Sequence, residues 1–427
     1  MLILGLVFAA LMAVGAPVAF AIGISGFLFF VTDPTMPTSI GVQKIASMSQ
    51  SFPLLAVPFF VFSGHLMNES GITSRLFKFS NVPVGWMAGG LAQVAILLPT
   101  VMGGVSGSAV ADAAMEARIL GPSMVKEGYS KSFSAAAIAV GSLITATIPP
   151  SIGLILYGYI GNVSIGKLFI AGVIPGLLMM VCLMTTTYVI SKRRGYVVAD
   201  ARKPTPKELL SAIWGAKWAL IFPVALVYGI RGGVFTPSEV GSFAVVYSVL
   251  VGLFLHRDLT LAGIRRAFDD TISDIGMIML IILMSGMVGF AIIFLQVPQA
   301  ISSWMLLGIS NPQAIVLIIL LFLLIAGCFI ESTVLVLLLT PIFVPIVTHV
   351  GVNPVHFGIL MMSIVTLGGM TPPMGVAMFA ICSLMDVKVE DYTIAALPFL
   401  ATIIALITAL GYLPGLVMWL PNLAFSH

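Results

Sequence analysis

The chain has 427 residues, of which 59% are hydrophobic and only 8% charged, with a net charge of +3. Soluble globular proteins carry about 25% charged residues, so a surface covered mainly by water is excluded and lipid is the principal solvent. The small basic excess lies in loops and does not interleave with aromatics, which excludes a nucleic-acid surface.

In chain order, the first apolar segment spans residues 2–31. It starts without a basic lead-in and shows no small-residue cleavage site, so it reads as a retained helix, not a removed signal. Gly15-Ala16-Pro17 leaves two readings: one long tilted span, or two short helices. A comparable break from Gly232-Gly233 to Thr236-Pro237 favours the broken form and a periplasmic N-terminus. Segment 32–50 is more polar and amphipathic, an interfacial arm. Apolar runs follow at 52–67, 83–104, 108–125, 132–148, 151–161 and 168–190. After a polar loop come 214–231, 237–255, a second arm at 256–270, then 272–295, 312–329, 333–349, 355–369, 374–385 and 395–420. Crossing the hydrocarbon takes about 20 helical residues. Segments 151–161 and 374–385 fall short of that and read as halves of broken helices. Cys182, Cys328 and Cys382 all sit in apolar runs without metal-ligand spacing and read as free thiols. The five histidines (His65, His256, His349, His356 and His427) are scattered, so no metal site other than one for Na⁺ is expected, and no cofactor.

Charge orients these segments. Lys192, Arg193, Arg194, Arg202, Lys203 and Lys207 mark a cytoplasmic loop, and Arg257, Arg265 and Arg266 a second one. Residues 296–311 and 350–354 carry no Lys or Arg and face the periplasm. Arg75/Lys78 and Lys126/Lys131 then also fall inside, so 83–125 begins and ends on one side. It is expected to be a re-entrant hairpin with its tip near Gly103–Ser108. By the same count 312–349 is a hairpin entering from the other side, with its tip near Glu331–Thr333.

An internal repeat supports this. Pro149-Pro150 and Pro372-Pro373 lie 223 residues apart, and the same offset maps Pro122 onto Pro345, Gly128 onto Gly351 and Ser108 onto Glu331. The expectation is an all-α polytopic membrane protein of inverted-topology repeats with two re-entrant hairpins and two broken helices. The first repeat covers 1–191 (arm 32–50, hairpin 83–125, broken helix 132–161). A cytoplasmic loop covers 192–213, and the second repeat 214–427 (arm 256–270, hairpin 312–349, broken helix 355–385). The bland alternative is that the Pro-Pro pairs are only kinks in packing helices.

Proline lacks the N–H that would bond the carbonyl four residues back. Pro149 and Pro150 are thus expected to free the carbonyls of Thr145 and Ala146, and Pro372 and Pro373 those of Gly368 and Gly369. At membrane depth such carbonyls persist only where they line a cavity or bind something. Na⁺ suits them, with hydroxyls of Thr145, Thr147, Ser151 and Thr371 nearby. The small-residue tip Gly103–Ser108, including Ser106 and Gly107, lets backbone approach a ligand, and the helix that follows points its N-terminus inward, where a carboxylate is favoured. Ser106 or Ser108 serves equally well as an ordinary N-cap. Glu331, beside Ser332 and Thr333, is a membrane-embedded acid and a functional candidate by default; the alternative is a protonated Glu or one paired with a backbone donor. Asp112 and Glu116 lie one turn apart beyond the first tip, where acids favour a helix start, with Arg118 as a snorkelling neighbour.

Five blocks carry a resemblance: Gly15 through Gly23; Pro58-Phe59-Phe60-Val61-Phe62-Ser63-Gly64; Gly103 through Asp112; Thr147-Ile148-Pro149-Pro150-Ser151; and Leu339-Thr340-Pro341-Ile342 with Thr371-Pro372-Pro373. Over nearly its whole length the chain resembles the large membrane subunit of tripartite ATP-independent periplasmic (TRAP) transporters. That resemblance implies an elevator mechanism driven by a Na⁺ gradient, a small four-helix membrane subunit on a separate polypeptide, and a soluble periplasmic binding protein. It also implies an organic-acid substrate such as a sialic acid or a C4-dicarboxylate, with overall likeness leaning to the sialic-acid branch, in a bacterial inner membrane. Carried onto this chain, one Na⁺ site comprises Ser106, Ser108, Thr145, Ala146, Thr147 and Pro149. The other comprises Ser332, Thr333, Gly368, Gly369, Thr371 and Pro372. Substrate sits between the tips, at Ser106, Gly107, Asp112, Glu331 and Thr333. The competing readings are a stand-alone Na⁺/dicarboxylate symporter, an intramembrane hydrolase using Ser106 with His349 or His356, and an inert scaffold.

Overall fold

The computed structural model describes residues 2–103, 107–196, 202–306 and 311–425, and these are helical with no strand. Helices α1 (Leu2–Ala13), α2 (Val18–Thr32) and the arm α3 (Thr38–Ser49) lead through a 3₁₀ turn at Phe52–Leu55 into α4 (Ala56–Glu69) and α5 (Ile72–Val84). The first hairpin is α6 (Gly90–Met102) and α7 (Ala109–Ile119), followed by α8 (Gly121–Lys126). The first broken helix is α9 (Lys131–Gly141), α10 (Leu143–Thr147) and α11 (Ile152–Ile160), after which α12 (Ile165–Arg194) runs to the basic loop. Then come α13 (Pro206–Arg231), α14 (Pro237–Leu250, extended by a π-turn at Val251–His256), α15 (Leu261–Phe294) and α16 (Val297–Leu306). The second hairpin is α17 (Pro312–Gly327) and α18 (Ser332–His349), and the second broken helix α19 (Pro354–Gly368) and α20 (Val376–Met385). Helices α21 (Val389–Tyr412) and α22 (Pro414–Ala424) complete the chain's described part. Among the described residues, six helices are long and apolar enough to cross a membrane, or eight if each bent pair is one span.

Several boundaries have local causes. Residues 2–31 form two helices, with Gly15 at φ +82° and Pro17 preceding α2. The first hairpin begins at Gly90, not 83, because α5 continues to Val84 and the chain turns at Gly89 (φ +79°). The two arms differ. Residues 38–49 are bent 54° from 52–69; Ser51 is extended, and Pro53 has no N–H with which to continue the arm's hydrogen bonds to Ser49 O. The matching position is Gly276, so the second arm is continuous with its span in α15. Segment 395–420 is divided at Leu413 because Pro414 disfavours helical backbone there.

The repeat is visible in hydrogen bonds. Tyr129 N–H donates to Met124 O at 3.1 Å and Val352 N–H to Val347 O at 2.9 Å, around left-handed Gly128 (φ +89°) and Gly351 (φ +81°). Ser130 and Asn353 then cap the broken helices, as Ser108 and Glu331 cap the helices leaving the tips. All these pairs keep the offset of 223 residues. Both Pro149-Pro150 and Pro372-Pro373 are cis. Beyond them the register slips to 224: the N-cap Ser151 corresponds to Gly375, and left-handed Asn162 to Asp386. The second break is therefore one residue longer.

Lipid is as apolar as a protein core, so membrane helices are held by close packing around small residues more than by burial. Gly358 lies against the Tyr157 ring and Gly153 against the Met362 sulfur. Two groups result. Helices α2, α3, α4 and α14 gather around α15 or one another, with α5 on α13. In the other group, α7 packs on α20, α9 on α21, α11 on α18, and α10, α17 and α18 on α19. Each hairpin's return helix thus rests on the outer half of the opposite copy's broken helix.

Candidate functional site

The first tip meets the first break. Gly107 is left-handed (φ +67°), and a Cβ there would stand 2.7 Å from the Pro150 carbonyl oxygen. A Cβ on Gly103 would stand 2.9 Å from the Cβ of Ile148, whose side chain is pressed from the other side by Gly176 of α12. Gly172, one turn earlier, lies directly on the Thr147 carbonyl. This Gly-x-x-x-Gly spacing on α12 is a close-packing signal readable in the sequence. Ser106 lies outside the described residues. Ser108 caps α7, its Oγ accepting from Ala111 N–H at 3.4 Å.

Thr145, Thr147 and Ser151 are fully buried at this break. Thr145 Oγ1 donates to Pro99 O at 3.4 Å, and Ser151 Oγ is the N-cap of α11, accepting from Leu154 N–H at 3.4 Å. Ser151 is thus committed to its own helix. Pro149 and Pro150 supply no N–H for Thr145 O and Ala146 O. The break thus carries two carbonyls without helix donors and two buried hydroxyls, Thr145 and Thr147, the oxygen donor types that a hard cation takes.

The second break departs from the expectation. Gly368 O accepts from Thr371 N–H at 2.9 Å, and Gly369 O accepts from Ala377 N–H at 2.9 Å and Met378 N–H at 3.3 Å. Proline does remove the i+4 donors, but the one-residue-longer loop lets the first turn of α20 fold back and fill Gly369 O. Gly369 is therefore not a free carbonyl, and Gly368 keeps one open lone pair. Thr371 Oγ1 donates to Leu367 O at 2.7 Å, and Tyr392 donates from α21 to Met370 O at 2.9 Å. This tip and break again touch through backbone: a Cβ on Gly368 would be 2.6 Å from Gly327.

The two tips are chemically unlike. Glu331 accepts from Thr333 N–H at 2.8 Å and Val334 N–H at 3.2 Å, and from the hydroxyls of Ser332 (3.0 Å) and Thr333 (2.9 Å). The α18 N-terminus therefore already carries its own carboxylate, whereas α7 carries a neutral serine. Asp112 is buried on α7. Glu116 is fully buried and neither of its oxygens has a hydrogen-bond partner. Arg118 is exposed and does not serve it.

The first break meets the second broken helix at Thr147 and Ser363 of α19, whose hydroxyl oxygens are 3.4 Å apart and both buried. Sequence reasoning missed Ser363 and Tyr392, since a single hydroxyl on a long apolar helix gives no pattern. His356 is buried, with Nε2 2.9 Å from Leu410 O, far from the first tip in role and contacts. Among the described residues no cluster of His, Cys, Asp and Glu suits a metal ion.

Paired hairpins, each ending against a proline-broken helix, are an architecture of secondary transporters. The fold is similar to the crystal structure of the Alcanivorax borkumensis YdaH transporter, with a TM-score of 0.65 and 11% identity over 92% of this chain and 91% of that one. Residues 5–416 match the model of the Tripartite ATP-independent periplasmic transporter, DctM component. The chain belongs to that family and is a multi-pass inner-membrane transport component, not an enzyme. It is 35% identical over 424 residues to the sialic acid TRAP transporter large permease SiaM of Vibrio cholerae, covering 99% of this chain and 98% of that one. It is 34% identical to the C4-dicarboxylate large permease DctM of Pseudomonas aeruginosa, over 94% of both. It is also 35% identical to the isethionate permease DctMQ of Oleidesulfovibrio alaskensis, of whose length it spans 65%.

Proposed function

We propose that this chain imports an organic acid across the inner membrane, coupled to Na⁺ entry, with a small membrane subunit and a periplasmic binding protein as partners. The observation that carries the reading is the first break: two carbonyls deprived of helix donors beside buried threonine hydroxyls, closed over by the Gly107 tip. Thr145, Ala146 and Thr147, with Ser108 at the tip, hold one Na⁺. Gly368, Ser332 and Thr333 hold a second, with the Glu331 carboxylate contributing negative charge. The substrate carboxylate sits between the tips, toward the N-terminus of α7, whose cap Ser108 brings no charge of its own and whose first turn carries Asp112. Relatives naming sialic acid, a C4-dicarboxylate and isethionate stand at 35, 34 and 35% identity, which supports an organic anion without selecting among them.

An elevator movement of the hairpin-bearing group fits the boundary between the two groups. A cavity of about 520 Å³ lies there, walled by Leu4, Phe8 and Ile22 on one side and Leu335, Leu338 and Leu339 on the other. Such an apolar face has no polar bonds to break as it slides. The test is uptake by the assembled transporter in proteoliposomes at fixed membrane potential. Uptake is expected with external Na⁺ and not with choline; equal rates would refute the coupling.

A further inference from the structure

A second cavity, of about 370 Å³, lies on the outer side of the same boundary. The arm contributes Lys44 and Ser47, α15 contributes Ser285 and Phe290, and the end of α11 contributes Tyr159 and Asn162. Lys44 is the single charged residue in its wall. Its Nζ stands 4.6 Å from the Phe290 ring centroid, and it forms no ion pair in the described structure, so its positive charge is held in place but not neutralised. Tyr159 reaches across the boundary, its hydroxyl bonded to Ser51 and 3.7 Å from the Met48 sulfur. Gly289 leaves the floor open, with nothing within 4 Å of where a Cβ would be.

Depth along α15 and the course of α11 and α18 put this cavity on the substrate's way in. Nineteen residues of α15, about 29 Å at 1.5 Å per residue, separate cytoplasmic Arg266 from Ser285, close to the full hydrocarbon thickness of about 30 Å. The cavity therefore opens in the periplasmic half. Tyr159 and Asn162 stand at the outer end of α11, and Pro341 of α18 also lines the wall. The inner ends of those two helices are the first break and the second tip.

We infer that this cavity is an anion-binding station for the carboxylate of the incoming substrate, with Lys44 as the attracting charge and the amide of Asn162 as a hydrogen-bond donor. The inference rests on the organic-acid reading above. A cation without a counter-ion attracts an anion, and a recess that carries this charge beside the Asn162 amide admits a hydrated acid where the neighbouring apolar cavity does not. Lys44 here is a specificity-determining residue for entry and takes no part in Na⁺ binding.

The experiment uses the assembled transporter in a background with Cys182, Cys328 and Cys382 replaced by Ala and normal uptake verified. Lys44→Gln is expected to raise KM for the loaded binding protein at least 5-fold while leaving the saturating rate within 2-fold and Na⁺ dependence intact. Lys44→Cys should behave likewise and recover on reaction with aminoethyl methanethiosulfonate, which restores the cation. The neutral methyl reagent should not rescue it, and the anionic sulfonatoethyl reagent should lower uptake further. Gly289→Leu, which fills the floor on a helix, should reduce uptake without altering Na⁺ dependence. An unchanged KM in Lys44→Gln or rescue by the neutral reagent would overturn the proposal and leave Lys44 as an anchor for the arm. So would a Lys44→Gln variant no longer inhibited by excess unloaded binding protein, since that would make Lys44 a docking contact. Absence of any Na⁺ response in the unmodified transporter would instead count against the coupled-import reading itself.

Discussion

Gly107→Ala tests whether the first tip and first break act as one site. Alanine in the left-handed region costs roughly 1–2 kcal/mol. The new Cβ would also begin 2.7 Å from the Pro150 oxygen, well inside ordinary contact, and relieving such overpacking costs about 1–3 kcal/mol more. The sum is about 2–5 kcal/mol, and the relief must come from moving the tip away from the break. Gly128 supplies the control: it is also left-handed (φ +89°), but a Cβ there meets nothing within 4 Å. Gly128→Ala should therefore cost only the backbone share, about 1–2 kcal/mol, and leave transport alone. The assay is thermal unfolding in detergent with and without Na⁺, paired with uptake. Gly107→Ala should lose both the Na⁺-dependent stabilisation and the transport. If it proved no more harmful than Gly128→Ala by either measure, the contact between tip and break would have no functional weight.

Other outcomes follow from single contacts. Tyr392→Phe should destabilise the protein by about 1–3 kcal/mol, because the Met370 carbonyl loses its donor in a buried place; chemical denaturation measures it. Glu116→Leu removes two buried oxygens that have no partner and should raise stability by about 1–3 kcal/mol, a drop counting against the unsatisfied reading. Lys131→Ala breaks the bridge to Asp386 (3.1 Å), but both groups are at least half exposed, so the change should stay under about 1 kcal/mol. At the start of α13, hydrogen bonds from the Thr205 backbone and hydroxyl hold the Glu208 carboxyl below its ordinary value of 4.5. The group binds fewer protons folded than unfolded, so its contribution is present above pH 4.5 and fades as pH falls through the lowered value. Amide exchange at Thr205 and Glu208 should quicken below that pH, and in Glu208→Gln it should show no such step.

How far the sequence carries the fold can be judged residue by residue. The hairpins and breaks were legible because loop charge fixes sides and because proline removes a donor whatever surrounds it. The second arm was not, since its continuity depends on Gly276 standing where the first copy has Pro53. At the second break the rule about lost donors held, yet its consequence for Gly369 did not, because α20 returns its own N–H groups across a loop one residue longer. Glu331 was legible as a site of interest, with pairing to a backbone donor as its alternative; the structure shows that pairing, to Thr333 and Val334 N–H. Ser363 meets Thr147 across 216 residues, and no local pattern reports such a contact. The candidate site is thus readable where it rests on backbone chemistry and hidden where it rests on tertiary neighbours.

The central claim, that the first break holds Na⁺, is tested most directly by ²²Na⁺ binding to the purified chain and to Thr145→Val/Thr147→Val, which keeps side-chain shape and removes both hydroxyls. The account expects saturable binding to the wild type, competed by unlabelled Na⁺ but not by choline, and a reduction of at least 10-fold in affinity at one site in the variant. Indistinguishable isotherms for the two proteins would contradict it.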